Sequence, residues 1–181
     1  MKSRQSKKPK IIAIAIIFTT LALAITLLAT IGTGIKQVPD ITITDIKGNK
    51  ISLKSMQGYP ILITFWASSC GICMREFPEL VALFKELSPQ GLKMIGIAMP
   101  YDIPRAVLEV SQHYSVPYSL ALDSMAHATR AFGGVKNTPT SFLIGPDGKI
   151  ELHSIGAVDM PYLKEKIIKL LAKNKLNTGV K

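Results

Sequence analysis

The 181-residue chain has only two cysteines, one tryptophan and three histidines, and it has no acidic residue before Asp40. Each shortage excludes something. Two cysteines cannot by themselves make a structural zinc site, which takes four ligands. His113, His127 and His153 would have to complete it, yet they are scattered over two expected helices and a strand. Each reads more simply as a surface or half-buried residue. The sequence also lacks a strong charge of one sign once its N-terminus is set aside. Of 22 Lys and Arg, five precede residue 32, leaving 17 against 12 acids. That mild balance, with no basic run interleaved with aromatics, argues against nucleic acid as a partner. The sequence contains no internal repeat and no low-complexity segment.

The longest stretch without charge or proline runs from Ile11 to Ile31. Its 21 residues would span about 30 Å as a helix, the thickness of a bilayer core. Its only polar side chains are threonines (Thr19, Thr20, Thr26, Thr30), which form no charged stripe. Lys2, Arg4, Lys7, Lys8 and Lys10 precede it and resist translocation, which keeps the N-terminus in the cytoplasm. A cleaved signal peptide would have a shorter apolar core and a small-x-small site, and LLATIGTG offers no clean one. The expected organisation is a basic cytoplasmic segment at 1–10, a transmembrane signal anchor at 11–31 and a linker at 32–38. A folded domain at 39–173 and a flexible tail at 174–181 complete it.

Within the domain, ITIT (Ile41–Thr44) and ISL (Ile51–Leu53) flank a turn-rich DIKGNK and read as a hairpin. ILITFWA (Ile61–Ala67) and LKMIGIAM (Leu92–Met99) are unbroken apolar runs of strand length, as strands buried on both faces require. An amphipathic helix is expected from about Gly71 to Leu87, kinked at Pro78. Further helices are expected at 104–114, 124–132 and 159–173, with Asp123 or Ser124 capping the second of these. SLAL (119–122) is a short strand, and TSFLIG, PDGK and IELHSIG make a closing hairpin. The fold class is α/β, with a mixed central sheet and helices on both faces.

The two cysteines stand three positions apart, in WASSCGIC (Trp66–Cys73). A disulfide between them closes a tiny loop and removes little entropy from the unfolded chain, so it is a poor staple. Their placement suits thiol–disulfide exchange. Cys70 falls where a buried strand ends and a helix begins, and the helix N-terminus favours its thiolate. Cys70 is the expected nucleophile, and Cys73, one turn further in, the expected resolving thiol. Cys73 must lose a proton to act, and Glu76, three residues on along the same helix, is the candidate for that proton. Pro139 opens an apolar strand, a position that a cis Thr138–Pro139 bond would accommodate. The Thr138 backbone would then lie beside Cys70, where an extended substrate could pair with it.

FWASSC-x-x-C followed by REFPEL, then GVKNTPTSFLI and PDGKI, resembles the TlpA/ResA-like branch of the thioredoxin-fold proteins over roughly residues 39–172. Its members are membrane-anchored thiol–disulfide oxidoreductases of the bacterial envelope, cytochrome c maturation reductases among them. The resemblance implies a thioredoxin-like fold and a reductase of exported proteins with disulfides or Cys-x-x-Cys segments, apocytochrome c being one such class. It further implies a membrane thiol-electron transporter as donor, a single-pass anchor in the cytoplasmic membrane and a domain on its far side; no cofactor and no metal are expected. It places the redox pair at Cys70 and Cys73 and the helix glutamate at Glu76. The substrate-facing set is Trp66, Gly71, Ile72, Thr138 and Pro139.

The chain departs from that pattern in places. Gly71-Ile72 separates the cysteines where relatives often have proline second, and this dipeptide influences the reduction potential. Ser69 replaces a frequent tryptophan, an extra glycine lies in AFGGVKNTPT, and Thr64 stands where thioredoxin has a buried aspartate. A disulfide-forming oxidant, a copper-site assembly reductase and a non-catalytic binding module stay open as alternatives. A thiol peroxidase would need a threonine three residues before its cysteine, where this chain has Ala67.

Overall fold

The computed structural model describes residues 17–21 and 36–178. The chain divides into two units, Met1–Gly34 and Ile35–Lys181. In the first, residues 17–21 are helical. The rest of the expected anchor, and the basic segment before it, lie outside the described residues. Among the described residues no helix is long and apolar enough to cross a membrane.

The second unit opens earlier than the expected linker boundary. Gln37 forms an antiparallel bridge with Lys149, and the Val38 N–H donates to the Gly148 carbonyl at 2.8 Å. Residues 36–38 are thus part of the domain, because the closing hairpin has unpaired backbone groups for them to meet. β1 (Thr42–Thr44) and β2 (Lys50–Ser52) then form the expected antiparallel hairpin. Its turn is held by Asp45, whose carboxylate accepts from the Lys47 and Asn49 N–H groups.

The main elements follow as β3 (Ile61–Trp66), α1 (Gly71–Leu87), β4 (Lys93–Ala98), α2 (Pro104–His113) and β5 (Ser119–Leu122). Then come α3 (His127–Ala131), β6 (Thr140–Ile144), β7 (Ile150–Ile155) and α4 (Met160–Thr178). The sheet order is β5-β4-β3-β6-β7. β3, β4 and β5 are parallel, and β6 and β7 complete a mixed sheet antiparallel to their neighbours.

The alternation of side chains along each strand divides the core in two. Leu62, Trp66, Met94, Ala98 and Leu120 face α1, α2 and α4, packing on Phe77, Leu80, Val107, Leu163 and Ile167. Ile63, Phe65, Ile95, Ile97 and Phe142 face the other way, under Ile43, Leu53, Ala128 and Phe132. Helices do cover both faces, but unequally: the second is covered by the short α3 and the β1–β2 hairpin. All six residues of β3 are buried, as its lack of alternation predicts for the centre of a sheet.

α1 continues as one helix through Pro78, which sits on its exposed side. Two local expectations change. α3 begins three residues late, because Ala126 takes a left-handed φ of 53°. Asp123 still serves that helix, accepting from the Ala128 and Thr129 N–H groups at 2.9 and 2.7 Å. α4 continues to Thr178, past the expected tail boundary.

Gly96 in β4 is required by packing. A Cβ there would lie 2.5 Å from Leu120 Cδ2 and 3.2 Å from Trp66 Nε1. Leu120 and Trp66 are both 2 % exposed and cannot swing away. Gly96→Ala is expected to cost about 1–3 kcal/mol through overpacking, read as a lower urea midpoint with an unchanged m-value.

Candidate active site

β3 delivers the chain to the site on rigid backbone. At its end the Trp66 carbonyl accepts from the Met99 N–H at 2.9 Å, which extends the β3–β4 pairing. Ala67 to Cys70 then form a tight turn, closed by the Cys70 N–H on the Ala67 carbonyl at 3.0 Å. The turn is fixed from outside by Asp102, in the loop after β4. Its carboxylate accepts the Ser68 N–H at 2.7 Å and also takes the Ser68 hydroxyl.

Cys70 is the N-cap residue of α1, with extended backbone. Its Sγ accepts from the Cys73 N–H at 3.2 Å, and its carbonyl accepts from the Met74 N–H. The sulfur therefore occupies the place that a capping oxygen takes in most helices. The two cysteines are joined as a disulfide with their Cα atoms 5.2 Å apart. They are not equivalent: Cys73 is 2 % exposed within the core, whereas Cys70 reaches the surface. The first turn of α1 holds no acidic residue, and the Arg75 side chain comes within 3.6 Å of where a Cβ on Gly71 would lie. Helix terminus and guanidinium both favour negative charge at Cys70 once the pair is reduced.

The register of β3 with β6 brings the distant half of the site in. Phe65 pairs with Thr140, so Pro139 sits at the end of the sheet from which Cys70 emerges. The Thr138–Pro139 bond is cis. Pro139 is buried, its carbonyl accepts the Gly156 N–H at 2.8 Å, and Thr138 is partly exposed. Gly71 and Ile72 are both exposed beside the disulfide.

Trp66 does not belong to the exposed surface. It is 2 % exposed and packs edge-to-face on Phe77, with ring centroids 4.9 Å apart. Its indole N–H has no partner and points toward the space kept open by Gly96. The expectation of a substrate-facing aromatic is corrected: the residue lies on the strand face that α1 covers. Thr64, on that same face, is buried.

Glu76 is half-buried, and its Oε1 accepts from the Val158 N–H at 2.8 Å, tying α1 to the loop before α4. Burial raises its carboxyl pKa above the ordinary value, the Val158 N–H pulls it back, and the charge of Glu79 adds to the rise. As a residue three along the helix from Cys73 it lies within about 5–6 Å of it, Cβ to Cβ. The folded protein binds this proton more tightly than the unfolded chain. Its contribution to stability is therefore lost as pH climbs from the ordinary glutamate range through the raised value. Relative to wild type, Glu76→Gln is expected to gain in urea midpoint between about pH 4 and about pH 7, the Gln oxygen keeping the Val158 contact. A difference that does not change with pH would mean that burial does not raise this carboxyl.

Asp102 and the Val158 N–H are the parts of the site that sequence reading missed. An acidic residue just past a strand parallel to β3 was the available signal, since loops at the C-terminal ends of parallel strands converge.

Fold and site together define a thioredoxin-fold thiol–disulfide oxidoreductase. Comparison with known proteins narrows the class. Residues 35–153 match the AhpC/TSA family. Thiol-disulfide oxidoreductase ResA of Bacillus thuringiensis subsp. konkukian is 30% identical over 136 residues, covering 75% of this chain and 77% of that protein. ResA of Bacillus anthracis is 33% identical over 122 residues, 67% of this chain and 69% of its own. A thiol:disulfide interchange protein of the thioredoxin family from Chlorobium tepidum TLS superposes with a TM-score of 0.69 at 22% identity. That match covers 77% of this chain and 99% of the other. The chain belongs to the AhpC/TSA family, among the ResA-type thiol-disulfide oxidoreductases.

Proposed function

We propose that this oxidoreductase works in the bacterial envelope as a reductase of exported proteins, with Cys70 as nucleophile and Cys73 as resolving thiol. The unequal exposure of the two sulfurs carries the assignment of roles: a substrate can reach Cys70 and cannot reach Cys73. In the reduced protein the Cys70 thiolate attacks one sulfur of the substrate disulfide. The Cys70–substrate bond forms as the substrate's S–S bond breaks, and the first substrate thiolate leaves and takes up a proton. Cys73 then gives up its proton, with Glu76 proposed to receive it directly or through a water, and attacks Cys70 Sγ. The intramolecular disulfide forms and the second substrate thiolate departs. The protein dithiol is oxidised by two electrons and the substrate disulfide reduced by two, leaving the Cys70–Cys73 bond of the structure.

Resetting the pair requires an external dithiol, for which a membrane thiol transporter is the proposed source. Cytochrome c maturation is the proposed pathway, on the strength of the resemblance. Anchoring through residues 11–31, with the N-terminus cytoplasmic and the domain outside, rests on the uncharged run and the five basic residues before it. The substrate-facing set becomes Gly71, Ile72, Thr138 and Pro139, without Trp66. A thiol peroxidase finds no support in the turn before Cys70, where Ala67 is 1 % exposed and offers no hydroxyl.

The test is a covalent trap. Cys73→Ala, incubated with a disulfide-containing protein, is expected to accumulate a mixed disulfide at Cys70 that mass spectrometry identifies, and Cys70→Ala to form none. Equal trapping by both variants would overturn the assignment of roles.

A further inference from the structure

The end of the sheet that carries Cys70 is unusually apolar for a solvent-facing rim. Trp66 pairs with Ala98 and Ala98 with Leu122, so the loops after β3, β4 and β5 all leave from this end. β7 finishes there too, since Ile155 pairs with Thr140 at the start of β6. These positions display Ile72 at 40 % exposure, Tyr101 at 62 %, Ile103 at 61 %, Met125 at 77 % and Ile155 at 62 %. A cluster of large exposed apolar side chains around one feature marks an interaction surface rather than the scattered apolar residues of any protein.

Two of these side chains belong to the loop that is tied to the turn carrying Cys70. Tyr101 and Ile103 flank Asp102, whose carboxylate grips Ser68, two residues before Cys70. The same carboxylate accepts the Ile103 N–H at 3.1 Å, and the Asp102 N–H donates to the Met99 carbonyl. The loop is thus tied to the turn that carries Cys70 and to the end of its own strand. Ser69, next to Cys70, is exposed and short, and leaves the approach from that loop open.

We propose that Tyr101 and Ile103 are specificity-determining residues, contacting apolar side chains that flank a disulfide cysteine in a substrate polypeptide, with Asp102 as the positioning residue that holds them beside Cys70. The inference rests on Cys70 being the attacking thiol. The occupant is a polypeptide segment and not a small disulfide, because the rim crosses the ends of all five strands of the sheet. Four strand spacings of about 4.8 Å come to roughly 19 Å, the reach of about six extended residues. Its contacts are apolar because the acids in the loops at this end, Asp102, Asp123 and Asp159, are each bonded to backbone N–H groups.

The test uses the full-length protein, dithiothreitol as donor and two fluorescently quenched peptide disulfides, one with phenylalanine and one with serine on each side of the cysteine. The wild type is expected to show a KM at least about fivefold lower for the phenylalanine peptide, from the area that Tyr101 and Ile103 can cover. The double variant Tyr101→Ser, Ile103→Ser is expected to bring that ratio close to one by raising KM for the phenylalanine peptide, with kcat held. Asp102→Ala is expected to reduce the ratio too. Asp102→Asn, which keeps an oxygen acceptor for Ser68, is expected to restore most of it. A ratio that survives in the double variant overturns the inference alone. So does an equal fall for both peptides in every variant, which would make the loop a purely structural support. A wild-type protein that reduces neither peptide overturns the reading of Cys70, and this inference with it.

Discussion

A sulfur atom caps a helix in this protein, and the rest of the site is arranged around that one contact. For Cys70 Sγ to accept the Cys73 N–H, the chain must leave β3 in a fixed direction, turn within Ala67–Cys70, and begin α1 at once. β3 can fix that direction because it is paired on both edges and covered on both faces. The turn can be tight because Asp102 holds it from the neighbouring loop. Cys73 falls on the buried side of the helix because α1 must turn that side, with Phe77 and Leu80, onto the sheet. The inequality between the two sulfurs thus follows from ordinary helix-on-sheet packing and needs no special device.

Much of this was legible in the sequence because it is local. Unbroken apolar runs mark β3 and β4, and the Gly71–Leu87 helix has the limits its pattern predicts. The Cys-x-x-Cys spacing places both sulfurs at one strand-to-helix junction. The cis Pro139 was also foreseen; what escaped was the inward or outward face of particular residues and the single hydrogen bonds that reach them from elsewhere. Trp66 and Ile72 are six residues apart, yet one is core and the other rim, and only the register of β3 against α1 separates them. Asp102 lies 34 residues from Ser68, and Val158 lies 82 from Glu76. No pattern of spacing announces either pair. The start of α3 differs from expectation for a related reason, since Asp123 caps it across a turn in which Ala126 is left-handed.

On the proposed reading the two cysteines are tuned by different means. Cys70 faces the first turn of α1, whose N–H groups and whose lack of any acid favour the thiolate, with Arg75 folded over Gly71 adding positive charge. Cys73 has none of this. It is surrounded by apolar side chains, which favour its neutral thiol.

That difference decides where an acid is useful. A group that raised the cost of the Cys70 thiolate would slow the first step, whereas Cys73 must lose its proton only after the mixed disulfide has formed. A carboxylate on the strand, at the position of Thr64, would meet Cys73 from the sheet side. Glu76, proposed to take that role from along the helix, is held by Val158. The helix position keeps the carboxyl half-buried and its pKa raised, so a proton can reside on it. On the proposed role of Glu76, an acid on the helix in place of the strand would serve the buried thiol while sparing the exposed one. On that role Glu76 would be committed to two tasks, since the contact that orients it also anchors the loop leading into α4.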